Sequence, residues 1–161
     1  LVAKHSQLSS KYLAVDGILL MELTGKNIDI FSAFGATTCG LDDLLTEAES
    51  SNDFRLLHDI HTCKMIVAYW RGDYMSARKF LHLAISCPGS NMPRILGIYR
   101  DFFGALLTLH LHRQLGDKTD ERLKHAREMM YEKVEKWAEN APDVFDNKWL
   151  LLQAEYSFSM G

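Results

Sequence analysis

Along most of the chain, apolar residues recur at steps of three and four, the spacing of one helix face. Residues 6–24 place Leu13, Gly17, Leu20 and Leu23/Thr24 on one side, and Gly25 reads as a stop. "KNIDIFSAFGATTCG" (26–40) keeps no period and reads as a long connection with one helical turn. Loops of that length cover core or carry function. "LDDLLTEAESS" (41–51) predicts a short helix opened by Asp42 and Asp43 at its positive end. Ser51, Asn52 or Asp53 is placed to cap the next helix, about 53–70, whose stripe is Leu56, Ile60, Cys63, Val67 and Trp70. Gly72 ends it. A helix over about 74–86 then buries Ala77, Leu81, Ala84 and Ile85.

"CPGSNMP" (87–93) breaks the pattern, with Asn91 as cap and Pro93 in a first turn. Residues 92–115 are apolar around most of the circumference, so this helix should lie between others, with Gly97 and Gly104 as points of close approach. Leu115-Gly116 ends it. Its successor, about 118–140, aligns Leu123, Ala126, Met130, Val134 and Trp137, and sets Glu132 four residues before Lys136 on a charged face. "NAP" (140–142) is a stop, and Phe145, Trp149, Leu152 and Tyr156 mark a last helix. No segment alternates as a strand does. The prediction is an all-α chain of antiparallel hairpins, either an α-solenoid of stacked pairs or a closed helical bundle.

Composition narrows the function classes. A chain of 161 residues fits a single domain, 1–161, and three prolines suit long helices. A net charge of -3 gives no general attraction to nucleic acid or acidic membranes. No apolar run approaches the ~20 residues of a membrane span. The chain opens without a signal-peptide pattern or initiator Met and ends on an apolar helix, so it is expected to be part of a longer protein. Cys39, Cys63 and Cys87 are an odd number without paired spacing, which points to free thiols in a reducing, cytoplasmic compartment.

That compartment bears on Arg71-Gly72-Asp73, the tripeptide that cell-surface adhesion receptors read. Here it falls between two helical stripes. It is expected to be a hairpin turn, with Asp73 capping the following helix and Arg71 facing a partner.

Other chemistry is sparse. His58 and His61, three apart, could share a metal, but Cys63 points about 200° round the helix from His61 and no third ligand is fixed. His110 and His112 face different directions. Ser50 and Ser51 are cap candidates. The segment Gly35 to Gly40 lacks the lysine and spacing of a phosphate loop. "KTDERLKHAREMMYEKVEKW" (118–137) mixes both charges and reads as a solvated face. Catalytic residues, metal ligands and cofactor sites are assigned to none of these.

The sequence Gly72-Asp73-Tyr74, Ala77, Leu81, Ala84 resembles a tetratricopeptide-type hairpin. Glycine permits the turn, the aromatic packs beneath it, and the alanines let two helices approach. Met65 departs from that pattern, which has a small residue there. More widely, "LTGKNIDI" (23–30), "HDIHTCKMIVAYWRGDYMSA" (58–77) and "WAENAPDVFDNKWLLLQAEYSFSMG" (137–161) resemble the helical region of large signalling proteins of microbial eukaryotes. In those proteins it follows a signal-transducing ATPase module, with protein-kinase-like, sensor and histidine kinase or nucleotide cyclase domains nearby. The resemblance implies a non-enzymatic scaffold whose partner is a protein, a peptide or a neighbouring domain. Tyr69, Arg71 and Tyr99 are the candidate partner-binding residues. The alternative is a helical sensor with a small-molecule pocket walled by Phe102, Phe103, Trp137 and Trp149. A further alternative is a helical enzyme using the histidines.

Overall fold

The computed structural model describes residues 15–19, 23–24, 41–89, 95–115 and 121–160. Among them every regular element is an α-helix. Residues 15–19 and 23–24 are helical, followed by α1 (Leu41–Ser51), α2 (Phe54–Trp70), α3 (Tyr74–Ser86), α4 (Ile95–Leu115), α5 (Glu121–Asn140) and α6 (Pro142–Met160). From α1 onward the predicted helix bounds hold within a few residues where they fall on described residues, and most of the predicted 6–24 helix lies outside the described residues. The connection at 25–40, the Asn91 cap, Pro93 and the side chains of Leu123 and Ala126 lie outside the described residues. The chain gathers into two compact units, Leu1–Met92 and Pro93–Gly161.

In the first unit α2 packs against both α1 and α3. The Asp42 carboxylate accepts from Lys64 Nζ at 2.5 Å, pinning the start of α1 to α2. That bond and the lysine's charge hold the Asp42 carboxyl below the usual range. The core is Leu44 and Ala48 of α1, Leu56, Ile60, Cys63, Met65 and Ile66 of α2, and Ala77, Leu81 and Ala84 of α3, joined by Val15 and Ile18. Each fully buried Leu or Ile contributes about 1.5–3 kcal/mol before entropy is counted. Ala77 and Ala84 have no exposed surface, so α3 lies close to its neighbour along the face the sequence indicates. Ile85 lies at the flank of that face and is exposed, contrary to the predicted stripe. Of the first predicted face, Gly17 is buried, beside Val15 and Ile18, Leu23 and Thr24 are exposed, and Leu13 and Leu20 lie outside the described residues.

The turns at the two ends of α2 share one geometry, twenty residues apart. A left-handed residue, Asn52 (φ 53°) or Gly72 (φ 76°), is followed by an aspartate. The Asp53 and Asp73 N–H groups bond the carbonyls of Ala48 and Ala68, both at 2.9 Å. Their carboxylates then cap the next helix, accepting from the N–H of Leu56 and of Ser76 at 3.0 Å. Each turn thus satisfies a carbonyl of the outgoing helix and an N–H of the incoming one. Ser50 and Ser51 are not caps; both hydroxyls donate back to the Glu47 carbonyl within α1.

In the second unit α4 packs against α5 and α6, and those two pack on each other. α4 is buried on most sides, including Gly97 and Gly104, as its pattern requires. On α5 the buried stripe is Met130, Val134 and Ala138, and Trp137 lies half-buried beside it. Pro142 starts α6 at a position where no intrahelical N–H is needed. Trp137 and Phe145 close the corner with ring centroids 5.6 Å apart. α6 then lays Leu152 into the core and Trp149 against Tyr131 at 4.7 Å.

Candidate functional site

The residues predicted to meet a partner separate into two places. Tyr69 and Arg71 flank the α2–α3 turn, whereas Tyr99 stands exposed on α4 in the other unit. At the turn, Tyr69 is half-buried. Its ring meets Tyr74 at 5.7 Å and Trp70 at 6.4 Å, both edge-on. The stripe therefore finishes under the turn through Tyr69, and Trp70, expected to be buried, is 64% exposed. Met75, on the first turn of α3, is 63% exposed. Arg71 lies between them in sequence, exposed at the C-cap of α2. Sequence reasoning missed Trp70 and Met75. The available signal was position: both sit within three residues of Gly72, where two helices end and little chain remains to cover them.

The turn is held firmly. Two backbone bonds brace Gly72 and Asp73, from Gly72 N–H to the Tyr69 carbonyl at 3.0 Å and from Asp73 N–H to the Ala68 carbonyl. Bonds from Ser76 keep the Asp73 carboxyl below its ordinary range. Asp73 is thus engaged as a cap, the role the sequence assigns it. A receptor reading Arg-Gly-Asp would have to displace that bond.

The histidines of α2 point inward. His58 is fully buried, with Nδ1 2.9 Å from Asp59 Oδ1. His61 stacks on Phe80 of α3 at 6.5 Å. His61 Nδ1 and Thr62 Oγ1 are buried without a hydrogen-bond partner. Burial first, then the Lys64 charge, lowers the His61 pKa, which favours the neutral ring. Asp16 has its carboxyl pKa raised by burial and by the Asp59 charge. Cys63 donates weakly to the Val15 carbonyl at 3.9 Å. Burial above all pushes its thiol far up, which leaves it a poor nucleophile. Among the described residues no three His, Cys, Asp or Glu side chains gather to hold a metal.

In the second unit Asp101 is a buried carboxylate that receives two guanidinium bonds from Arg100, at 2.8 and 2.5 Å, and Lys133 Nζ at 3.1 Å. Arg100 is itself buried, so the pair is structural. His110 contacts Arg113 and Gln114, at 3.3 and 2.9 Å. Its pKa is lowered by burial and by Arg113. His112 lies half-buried. The four aromatics proposed to wall a pocket fall into three separate ring contacts: Phe102 on Phe103 at 5.1 Å, Trp137 on Phe145, and Trp149 on Tyr131. No helix among the described residues is long and apolar enough to cross a membrane.

Compared with protein-family models, curated proteins and solved structures, the chain matches none.

Proposed function

We propose that the chain is a non-enzymatic interaction module that docks a protein or peptide through its α2–α3 turn. The observation that carries this is the exposure of Trp70 and Met75 on either side of Arg71, on a turn braced by two backbone bonds and an aspartate cap. Aromatic, methionine and arginine side chains are the types enriched where partners bind. A rigid turn lowers the backbone ordering cost on binding. The partner chemistry that fits is an apolar anchor beside an acidic group. Tyr69 serves from beneath, as the ring that sets the direction of Trp70. Tyr99 is a separate contact candidate on the other unit. The wider setting, a tetratricopeptide-like scaffold within a larger cytoplasmic ATPase/kinase signalling protein, rests on the resemblance carried by residues 23–30, 58–77 and 137–161.

The test is selection of binders to the 161-residue chain from a displayed peptide library, followed by titration against a Trp70→Ala/Arg71→Ala variant. Peptides carrying an apolar and an acidic residue are expected to enrich and to lose at least ~10-fold in affinity for the variant. Unchanged affinity would place binding elsewhere. Helix content by circular dichroism should stay the same, because both substituted side chains are exposed.

A further inference from the structure

α6 has two apolar faces. The inner one carries Trp149 and Leu152 against the rest of its unit. The outer one carries Val144, Leu151 and Phe158, which are 56%, 45% and 75% exposed. These three stand seven residues apart, with Asn147 and Ala154 exposed between them and Leu150 exposed alongside. Apolar residues at that interval fill one of the two seam positions of a two-helix pair, because seven residues bring a helix back to nearly the same side, and Asn147 and Ala154 stand at the other. A helix of 19 residues is about 28 Å long, enough for three such layers.

We propose that this face pairs with the same face of a second copy of the chain, the two α6 helices running antiparallel across a two-fold axis at Leu151. The register supports a copy of itself over an unrelated helix. Val144 and Phe158 are equally distant from Leu151. A two-fold axis there sets the smaller Val144 against the large ring of Phe158 at both ends and Leu151 on Leu151 in the middle. The charges agree. Lys148 and Glu155 lie on the same flank of the seam, three residues before and four after Leu151. Antiparallel pairing therefore brings each Lys148 to the other copy's Glu155. Parallel pairing would put the two Lys148–Glu155 flanks on opposite sides of the seam, where these charges do not meet.

The unit also positions both groups. Arg113 bonds Glu155 through Oε2 and lies 5.0 Å from the Phe158 ring, holding that end of the seam in place. Lys148 Nζ rests on the Val144 carbonyl at 3.1 Å, at the edge of the other end. One helix pair buries less than the ~1,200–2,000 Å² of a standard stable interface. The association is therefore weak, with a Kd of roughly 1–100 µM.

Sedimentation equilibrium of the 161-residue chain measures it directly. The expected result is a concentration-dependent dimer. Leu151→Asp should abolish it while helix content stays constant, and Lys148→Glu should weaken it ~3–10-fold by placing like charges together. Orientation is read by cross-linking, in a chain whose Cys39 and Cys87 are changed to Ser. Leu151→Cys should form a disulfide-linked dimer on its own. Val144→Cys should link only when mixed with Phe158→Cys. A chain that stays monomeric to ~100 µM overturns the proposal and assigns the face to a helix of different sequence. A dimer indifferent to both Leu151→Asp and Lys148→Glu uses another surface and overturns it too. Self-linking of Val144→Cys would refute the antiparallel arrangement.

Discussion

α2 and α6 are close in length, 17 and 19 residues, and both carry apolar side chains on more than one side. Their surroundings are inverse. α2 is covered by α1 and α3, and buries polar groups, His58, Asp59, His61 and Thr62, among its leucines and isoleucines. α6 buries Leu152 and leaves Val144, Leu150, Leu151 and Phe158 exposed. Apolar content thus does not rank helices by burial. What decides is whether neighbours stand on both sides, and an apolar face without a neighbour is available for another chain.

The sharpest test of this contrast removes one apolar side chain from each helix. Ile60→Ala on α2 should cost about 2–5 kcal/mol, because it empties a fully enclosed site. Leu151→Ala on α6, in dilute monomer, should change stability by less than ~0.5 kcal/mol. Urea denaturation followed by circular dichroism gives both values. Equal losses would mean that the outer face of α6 is covered within the monomer.

A smaller effect is expected at the turn that ends α2. Gly72 has φ 76°, and a Cβ built there meets nothing within 4 Å. Gly72→Ala should therefore cost only the backbone penalty, about 1–2 kcal/mol. Gly72→Asn should cost less, since Asn52 holds the matching place in the twin turn. A loss well above that range would show that the turn's surroundings, and not its dihedral angle alone, demand glycine.

The smallest effect concerns the polar groups that α2 hides. The fold lowers the His61 pKa below its ordinary 6.5, so the native state favours the neutral ring. Its stabilising contribution is present above pH 6.5 and is lost as pH falls through the lowered native value, because the unfolded chain binds the proton first. His61→Phe should flatten that part of the stability–pH curve between pH 7 and 5. A variant as pH-sensitive as the parent would place the titration on another group.

Much of the fold was legible because helix periodicity and turn chemistry are local. Asp42 and Asp43, the Gly72 stop, the Asp73 cap and the Ala77–Leu81–Ala84 face follow from steps of three and four and from which residues accept a left-handed dihedral. The cap before α2 was narrowed to three residues, and the side chain that meets the Leu56 N–H proved to be Asp53. The candidate site was legible in part. Arg71 is exposed at the turn, but the α2 stripe places Trp70 in the core, and Tyr99 lies in the other unit. Which ring sits beneath a turn depends on where the second helix comes down, and a single stripe does not contain that.

The sequence by itself determined that the described residues are helical and where α2 gives way to α3. These depend on backbone preferences and composition within a few residues of each position. Only the tertiary structure decided that His58 and Asp59 are interior, that Tyr69 and not Trp70 closes the hairpin, and that one apolar face of α6 is exposed. Burial is a property of what surrounds a residue, and the surroundings come from helices far apart in the chain.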